Sequence, residues 1–150
     1  MTTKNEKEIL ALKTSLSTTL EKLVSDTGSI SESLMQKVSE LNLEIGASLV
    51  WQYRNCDGRP DTVFDLEMCI PIKEMKGDPS PFQYSSLKEF KCIATTHHGS
   101  WSRLSSCYEK LMGFLYSNKY NYTGISREIY HVCDFENQDN CITEVQVGIQ

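Results

Sequence analysis

The chain has 150 residues, of which 39% are hydrophobic and 23% are charged, a composition typical of one folded domain and not of a disordered segment. Its net charge is −5, from 15 Lys and Arg against 20 Asp and Glu, which disfavours direct contact with the phosphates of nucleic acids. The N-terminal segment lacks the apolar core of a signal peptide, and no stretch has the length and apolarity of a membrane span, so we expect a cytoplasmic protein.

Six cysteines are spread along the chain without a CxxC pair and without histidines at zinc-ligand spacing. Thiols of this kind stay reduced in the cytoplasm and pack as small hydrophobic side chains. We therefore expect neither a metal nor a cofactor.

The N-terminal segment is compatible with two predictions. Ile9, Leu12, Leu16, Leu20 and Leu23 recur at the helical period, which indicates a helix over residues 7–24. The alternative is a strand over about residues 8–16, followed by a helical turn near Leu20 and Leu23. An internal duplication of the chain favours the strand, because the first half would otherwise lack its opening strand.

A first helix is predicted from the segment SISESLMQKVSELN. Ser29 and Glu32 have the S-x-x-E spacing of a capping box, which predicts a helix start at Ser29. The apolar stripe of this helix consists of Leu34, Val38, Leu41 and Ile45. Two strands follow, ASLVWQYRN and TVFDLEMCIPI, joined by the turn-rich segment CDGRPD.

The second half has the same order of elements after a loop around SPF. A strand, EFKCIATTHH, precedes a helix that Ser100 can cap. The apolar stripe of that helix consists of Trp101, Leu104, Tyr108, Leu111 and Leu115. Two more strands, SREIYHV and CITEVQVGI, are joined by CDFENQDN.

The two halves are related by a nearly constant shift. Leu34-Met35 recurs as Leu111-Met112 after 77 residues, and Gly46 recurs as Gly124 after 78. Glu67 aligns with Glu144, and we expect both to be strand-face charges paired with lysines. Two strand-helix-strand-strand units predict an α+β fold with one curved antiparallel sheet, two main helices on one face and a central ligand groove. We expect one domain over residues 1–150, with halves at about 7–75 and 86–150.

A glutamate in the second strand of the second half is unusual, because strands are depleted in this residue. Glu128 and Tyr130 are two residues apart and so share a strand face. Two interpretations are open, a solvated strand face or a charge that lines an aromatic ligand site. The counterpart of Glu128 in the first half, Val50, is uncharged, so the carboxylate is not part of the repeated scaffold.

Several segments together resemble the GyrI-like small-molecule-binding domain, which is also the effector-binding domain of AraC- and MerR-type multidrug regulators. They are EFKCIATTHHGSW, YEKLMGFLYSNKYNYTGISREIYH, TEVQVGI and FDLEMCIPI. The resemblance covers nearly the whole chain, most specifically residues 46–72 and 88–150. Gly-Ile-Ser stands where the family has Gly-Pro-Pro, and Gly148 stands where it has a closing proline.

The resemblance implies a pocket between the two units, with a strand glutamate at its floor and aromatic walls. Carried to this chain, the ligand-binding residues are Glu128, Tyr130, Tyr53, Trp51, Trp101, Tyr108, Phe64 and Leu66. The helical residues among them are also typical of plain core packing. We place Trp51 and Tyr53 on alternate strand faces, so that at most one of them lines the pocket wall.

The resemblance further implies a protein that binds small lipophilic, cationic or planar aromatic molecules, as a sensor or a sequestering module. About 30 residues precede the first predicted helix, so we expect no DNA-binding domain of its own, no direct nucleic-acid contact and no membrane contact. Two alternatives are a hydrolase of electrophilic small molecules that uses Glu128 as a general base, and an inhibitor of a protein partner such as a topoisomerase. We expect binding in preference to catalysis, because no nucleophile motif is present.

Overall fold

The computed structural model describes all 150 residues of the chain. It contains eight strands, two α-helices and two short 3₁₀ turns, the latter at Trp101–Arg103 and Gln138–Asn140. In chain order the elements are β1 (Thr2–Glu6), β2 (Ile9–Thr18), α1 (Leu23–Glu40), β3 (Leu49–Arg54), β4 (Phe64–Pro71), β5 (Gln83–Leu87), β6 (Phe90–His98), α2 (Leu104–Ser117), β7 (Tyr122–Val132) and β8 (Ile142–Ile149).

All eight strands form one antiparallel sheet in the order β1-β6-β8-β7-β3-β4-β2-β5. Strand β5 lies at one edge and β6 lies next to the other, yet only residues 88–89 connect them. Because so short a connection cannot cross a flat sheet, the sheet curls into a half-barrel. Neither helix has the length and apolarity that a membrane crossing requires.

The predicted duplication is confirmed by the strand order. The run β6-β8-β7 on one side of the centre mirrors β2-β4-β3 on the other, and β3 and β7 pair in the middle. Val50 pairs with Ile129 and Trp51 pairs with Glu128, and a shift of 78 residues maps each pair onto the other. The two strand-helix-strand-strand units are therefore related by an approximate two-fold axis through the centre of the sheet.

Both helices pack on the same face of the sheet, which we call the helical face. The cluster under α1 contains Leu34 and Val38 with strand residues that include Tyr53 and Leu66. The cluster under α2 consists of Ile93, Leu104, Cys107, Leu111, Leu115, Val145, Val147 and Ile149. The two cores flank the central strands β3 and β7, where the helices leave room between them.

The N-terminal segment is a strand, as the duplication predicts, and not a helix. Strand β2 pairs with β4 from Ala11 to Thr18 and with β5 from Ile9 to Lys13, so each of its residues is paired on at least one side. This pairing overrides the helical periodicity of the leucines, because tertiary contacts outweigh local pattern. The helical turn expected near Leu20 leads directly into α1.

The predicted start of α1 at Ser29 is wrong, because the helix begins at Leu23. Leu23 and Ile30 pack against the first core, and this burial extends the helix ahead of the capping-box spacing. Ile45 is also not in the helix. Asn42 adopts the left-handed conformation, with φ of 54°, directly after the helix ends, and Ile45 instead forms an isolated bridge with Ile72.

Ser100 acts as the predicted N-terminal cap, but the turn that it caps is a 3₁₀ turn ahead of α2. The Ser100 hydroxyl accepts a hydrogen bond from the Ser102 backbone N–H at 3.3 Å. The first turn after it is a 3₁₀ turn that contains Trp101, and α2 proper begins at Leu104. Trp101 therefore lies in the turn that precedes α2 and still packs against the core under that helix.

Strands β1 and β5 have no sequence signal and are not predicted. Their sequences, TTKNE and QYSSL, lack a clear alternation of apolar and polar residues. Both lie at sheet edges, where one side of the strand is unpaired and polar residues are tolerated.

Gly148 is required by packing in this chain. A Cβ atom at this position would lie 2.9 Å from Phe90 Cε1 and 3.0 Å from the Ile125 carbonyl oxygen, and would also collide with the Thr123 hydroxyl. Two of these neighbours are backbone or ring atoms that cannot move aside easily. The glycine therefore lets β8 approach β7 closely at the end of the sheet.

Candidate ligand-binding site

Glu128 lies at the centre of the sheet, on the helical face of β7. It is directly opposite Trp51 on β3 and Val145 on β8, and its side chain points between the two cores. Only 7% of the residue is exposed. The interpretation of Glu128 as a solvated strand-face charge is therefore excluded.

Three tyrosine hydroxyls donate hydrogen bonds to the Glu128 carboxylate. Tyr130 and Tyr53 both donate to Oε1, at 2.6 and 3.1 Å, and Tyr108 donates to Oε2 at 2.6 Å. Tyr53 comes from β3, Tyr130 from β7 and Tyr108 from α2, so one helix and both halves contribute. We call these three residues with Glu128 the tyrosine cage.

The expectation that Trp51 and Tyr53 alternate between faces is wrong. Residues two apart on a strand share a face, and here both lie on the helical face. Tyr53 reaches the carboxylate of Glu128, and the indole of Trp51 packs edge-on against the ring of Tyr130, with ring centres 5.6 Å apart. Both residues can therefore line one site.

The buried Glu128 carboxyl group has no basic partner in the protein. None of the salt bridges in the molecule involves it. Burial raises its pKa, and the hydrogen bonds from the three tyrosines offset this only in part. The pKa values of Tyr53, Tyr108 and Tyr130 are all raised well above the usual value by burial and then by the negative charge of Glu128. The cage thus consists of neutral donors around a buried carboxyl group.

Both tryptophans of the chain pack against Tyr130. The Trp101 ring is edge-on to that of Tyr130, with centres 6.3 Å apart, and its Nε1–H donates to the Thr143 hydroxyl at 3.1 Å. Phe135, from the loop between β7 and β8, packs on the outer side of Trp101 at 5.3 Å and is 80% exposed. These rings form an aromatic layer that continues from the cage to the surface.

Phe64 and Leu66 are placed differently from the other predicted site residues. They are 2% and 0% exposed and belong to the core under α1. The Phe64 ring packs against that of Tyr53 at 5.6 Å, and Leu66 pairs with Tyr53 across β3 and β4. They support one wall of the cage from behind.

An open cleft of about 440 Å³ lies beside the cage. It is lined by Met35 of α1, residues 45–49 at the start of β3, and Tyr130 and His131 of β7. Tyr130 belongs to both the cleft and the cage, whereas Glu128 lies behind it. Tyr130 is thus the residue that connects the open cleft with the buried carboxylate.

Sequence reasoning missed the residues that line this cleft. Met35, Ile45, Ser48, Leu49 and His131 belong to no motif that indicates a binding site. Leu49 lies opposite Tyr130 in the β3–β7 register, which the duplication alone does not define. Phe135 lies in a loop, where no periodic pattern of apolar residues predicts the position of a side chain.

The two equivalent glutamates pair with lysines, as predicted. Lys13 is 3.4 Å from Glu67, and Lys4 is 2.8 Å from Glu144. Four of the six cysteines are buried and all six are free thiols, while Cys56 is half-buried and Cys133 is exposed.

A curled antiparallel half-barrel with an aromatic-walled carboxylate between two helices defines a small-molecule-binding domain. The model of the GyrI-like small-molecule-binding domain family matches residues 1–150, and the chain belongs to this family. No curated protein matches the chain significantly by sequence.

Several solved structures share the fold at low sequence identity. The C-terminal domain of EcmrR has a TM-score of 0.84 and 17% identity, covering 99% of this chain and 96% of that one. In the EcmrR–DNA complex the match covers 56% of the EcmrR chain, so this chain spans about half of that protein. SAV2435 bound to tetraphenylphosphonium has a TM-score of 0.69 and 10% identity over 99% of this chain and 93% of that one. A hydrolase from Listeria innocua has a TM-score of 0.61 and 13% identity over 99% and 91%.

Proposed function

We propose that this domain binds lipophilic cations or planar cationic aromatic molecules, with Glu128 as the counter-ion and Trp51, Trp101 and Tyr130 as the stacking surface. One observation carries the proposal. A carboxylate is buried at the centre of the sheet, held by neutral hydroxyls and facing no basic side chain. A ligand cation would supply the charge that the protein omits.

The carboxylate is expected to contribute more to affinity than any single ring. Opposite unit charges 4 Å apart attract by about 4 kcal/mol at an effective dielectric constant of 20. A well-placed cation–π contact contributes about 0.5–2 kcal/mol. The charge attraction and the cation–π contact both favour a cation, whereas a neutral aromatic ligand gains only from contact with the rings. The proposed site therefore discriminates more strongly by ligand charge than by ligand shape.

Access to the carboxylate is proposed to run through Tyr130. Tyr130 lines the cleft, and its hydroxyl is one of two donors to Oε1 of Glu128. Rotation of this side chain would leave Oε1 with the Tyr53 hydroxyl and open a path from the cleft. Burial raises the pKa of Glu128, so cation affinity is expected to increase as the pH rises through that raised value.

We infer that binding serves sensing or sequestration. The proposed ligand would lie between the two units, where contacts to both halves of the sheet and to α2 could change their relative position. The net charge of −5 favours a cationic ligand at the encounter stage and disfavours direct contact with nucleic acid.

The proposal is tested by fluorescence titration with ethidium, a planar cation. The chain has only two tryptophans, and both pack against Tyr130, so quenching reports on ligand bound near this residue. We expect Glu128→Gln to weaken binding at least tenfold, a loss of about 1.4 kcal/mol. The matched control is Glu109→Gln, which removes the same charge from an exposed position on α2 next to Tyr108. Equal affinity of wild type and Glu128→Gln would reject the role of the carboxylate.

A further inference from the structure

A second group of reactive side chains lies at the rim of the cleft, on the face of the sheet opposite the helices. The Ser48 Oγ is 2.9 Å from Nδ1 of His131, and Nε2 of the same ring is 3.2 Å from Oε1 of Glu144. Ser48 precedes β3, His131 is in β7 and Glu144 is in β8, so the central strands bring the three together. A hydroxyl, an imidazole and a carboxylate are thus joined in series.

The carboxylate of this series is firmly oriented. Its second oxygen, Oε2, accepts hydrogen bonds from Lys4 at 2.8 Å and from Gln146 at 2.7 Å, which leaves Oε1 for His131. The Glu144 side chain is only 12% exposed. Burial disfavours its ionised form, but the hydrogen bonds from Lys4, Gln146 and His131 prevail and lower its pKa. Glu144 is therefore an anion at neutral pH.

An ionised Glu144 fixes the tautomer of the neutral His131 ring. Because a carboxylate accepts hydrogen bonds and cannot donate them, Nε2 carries the proton. Nδ1 then presents a lone pair, and the only side chain bonded to it is the Ser48 hydroxyl, which acts as the donor. This is the arrangement that activates a serine, a hydroxyl bonded to a base whose other nitrogen is held by an acid.

The surroundings of Ser48 suit an acyl-transfer reaction. Ser48 and His131 both line the 440 Å³ cleft, together with the apolar side chains of Met35, Ile45 and Leu49. The neighbouring backbone N–H groups of Ala47 and Ser48 donate to no protein atom. Unpaired backbone N–H groups beside a nucleophile are the donors that stabilise an oxyanion.

We propose that Ser48, His131 and Glu144 form a serine-hydrolase centre that acts on small lipophilic carboxylic esters bound in the cleft. Ser48 Oγ attacks the ester carbonyl while its proton passes to His131 Nδ1, and the carbonyl electron pair moves onto oxygen. Collapse of this intermediate breaks the ester C–O bond, and His131 returns the proton to the leaving alcohol. Water, deprotonated by the same nitrogen, then releases the carboxylic acid and restores Ser48.

The three residues of the proposed centre have different roles. Ser48 and His131 are the catalytic residues, since they would touch the reacting atoms. Glu144 is a positioning residue that holds the imidazole tautomer. Glu128 takes no part, because it lies on the helical face, behind Tyr130.

A fluorophosphonate probe tests the centre, because it phosphonylates an activated serine and releases fluoride. We expect a single adduct by intact mass, mapped to Ser48, and hydrolysis of p-nitrophenyl butyrate at a rate that falls with the extent of labelling. His131→Asn should slow labelling at least about 10²-fold, as loss of a general base does. Ser48→Ala should remove both the adduct and the ester turnover, whereas Ser39→Ala, at an exposed helical serine without side-chain bonds, should retain both.

The Glu144→Gln variant tests whether Glu144 positions the His131 imidazole or only stabilises the fold. The variant should lower the labelling rate and shift the pH at which labelling is half-maximal, while circular dichroism and thermal unfolding show that the fold is retained. The same spectra are recorded for Ser48→Ala and His131→Asn. Labelling of several serines, no labelling of Ser48 in the folded wild type, or ester turnover that survives in Ser48→Ala would each overturn the proposal.

Discussion

The tyrosine cage predicts a specific cost for removing single hydroxyl groups, and Tyr108→Phe is the sharpest case. Tyr108 is the only donor to Oε2 of Glu128, at 2.6 Å, whereas Oε1 has two donors. The phenylalanine ring retains the packing of α2 on the sheet. The variant therefore isolates one hydrogen bond to a buried anion.

The expected magnitude follows from the charge of the acceptor. A hydrogen bond to a charged group contributes about 1.5–3 kcal/mol to stability, compared with about 0.5–1.5 kcal/mol for a neutral pair. Tyr108→Phe should lower the free energy of unfolding by the larger amount at pH 8. Tyr53→Phe removes a bond of 3.1 Å to an oxygen that keeps the Tyr130 donor, so we expect a smaller loss. The order of the two variants is thus fixed by the geometry.

Urea denaturation followed by tryptophan fluorescence measures these differences, since Trp51 and Trp101 both adjoin the cage. Tyr116→Phe is the control, because Tyr116 is 67% exposed and its hydroxyl has no partner, and it should change stability by less than about 0.5 kcal/mol. The deficit of Tyr108→Phe should also shrink at acidic pH, where Glu128 becomes protonated. Indistinguishable behaviour of Tyr108→Phe and Tyr116→Phe would refute the reasoning.

Three further predictions concern stability. The pKa of Glu128 is raised in the folded protein, so the stability that this group contributes is greatest below the ordinary glutamate pKa and is lost as the pH rises through the raised pKa. The urea denaturation midpoint of wild type, compared with that of Glu128→Gln, should therefore fall between the ordinary and the raised pKa. Above the raised pKa the difference between the two midpoints should be constant. Leu111→Ala, at a residue that is 0% exposed, should cost about 2.7–5 kcal/mol, whereas Val24→Ala, at 83% exposure, should change stability by less than about 0.5 kcal/mol by the same assay. Gly148→Ala should lose about 1–3 kcal/mol through overpacking, whereas Gly113→Ala, in α2 with nothing near its added Cβ, should gain about 0.5–1 kcal/mol; a gain in both would contradict the close approach of β8.

The duplication made most of the fold predictable. Neither the helical period of residues 9–23 nor any local pattern identifies β2 as a strand, yet alignment with β6 does so correctly. The start of α1 could not be predicted, because burial of Leu23 and Ile30 decides it and the capping-box spacing does not. The edge strands β1 and β5 are likewise defined by their neighbours, since their own sequences carry no alternation.

For the site, the sequence indicated which rings are near Glu128 but not how they contact it. The i, i+2 spacing places Glu128 and Tyr130 on one strand face, whereas the assignment of Trp51 and Tyr53 to alternate faces is wrong. The contact of Tyr108 depends on how α2 is seated on the sheet, and that position is set by the packing of Leu111 and Leu115. The hydrogen bonds from Ser48 to His131 and from His131 to Glu144 join three segments at the sheet centre, and no spacing along the chain announces them.

The central claim is that Glu128 acts as the counter-ion of a ligand cation, and calorimetric titration with a charged and a neutral aryl-phosphorus compound tests it most directly. The quantity is the ratio of affinities for tetraphenylphosphonium and triphenylphosphine oxide, measured for wild type and for Glu128→Gln. We predict that the ratio falls at least tenfold in the variant because only the cation loses its partner, a change of about 1.4 kcal/mol. A ratio that is the same in both proteins would contradict the account, since the site would then select by shape alone.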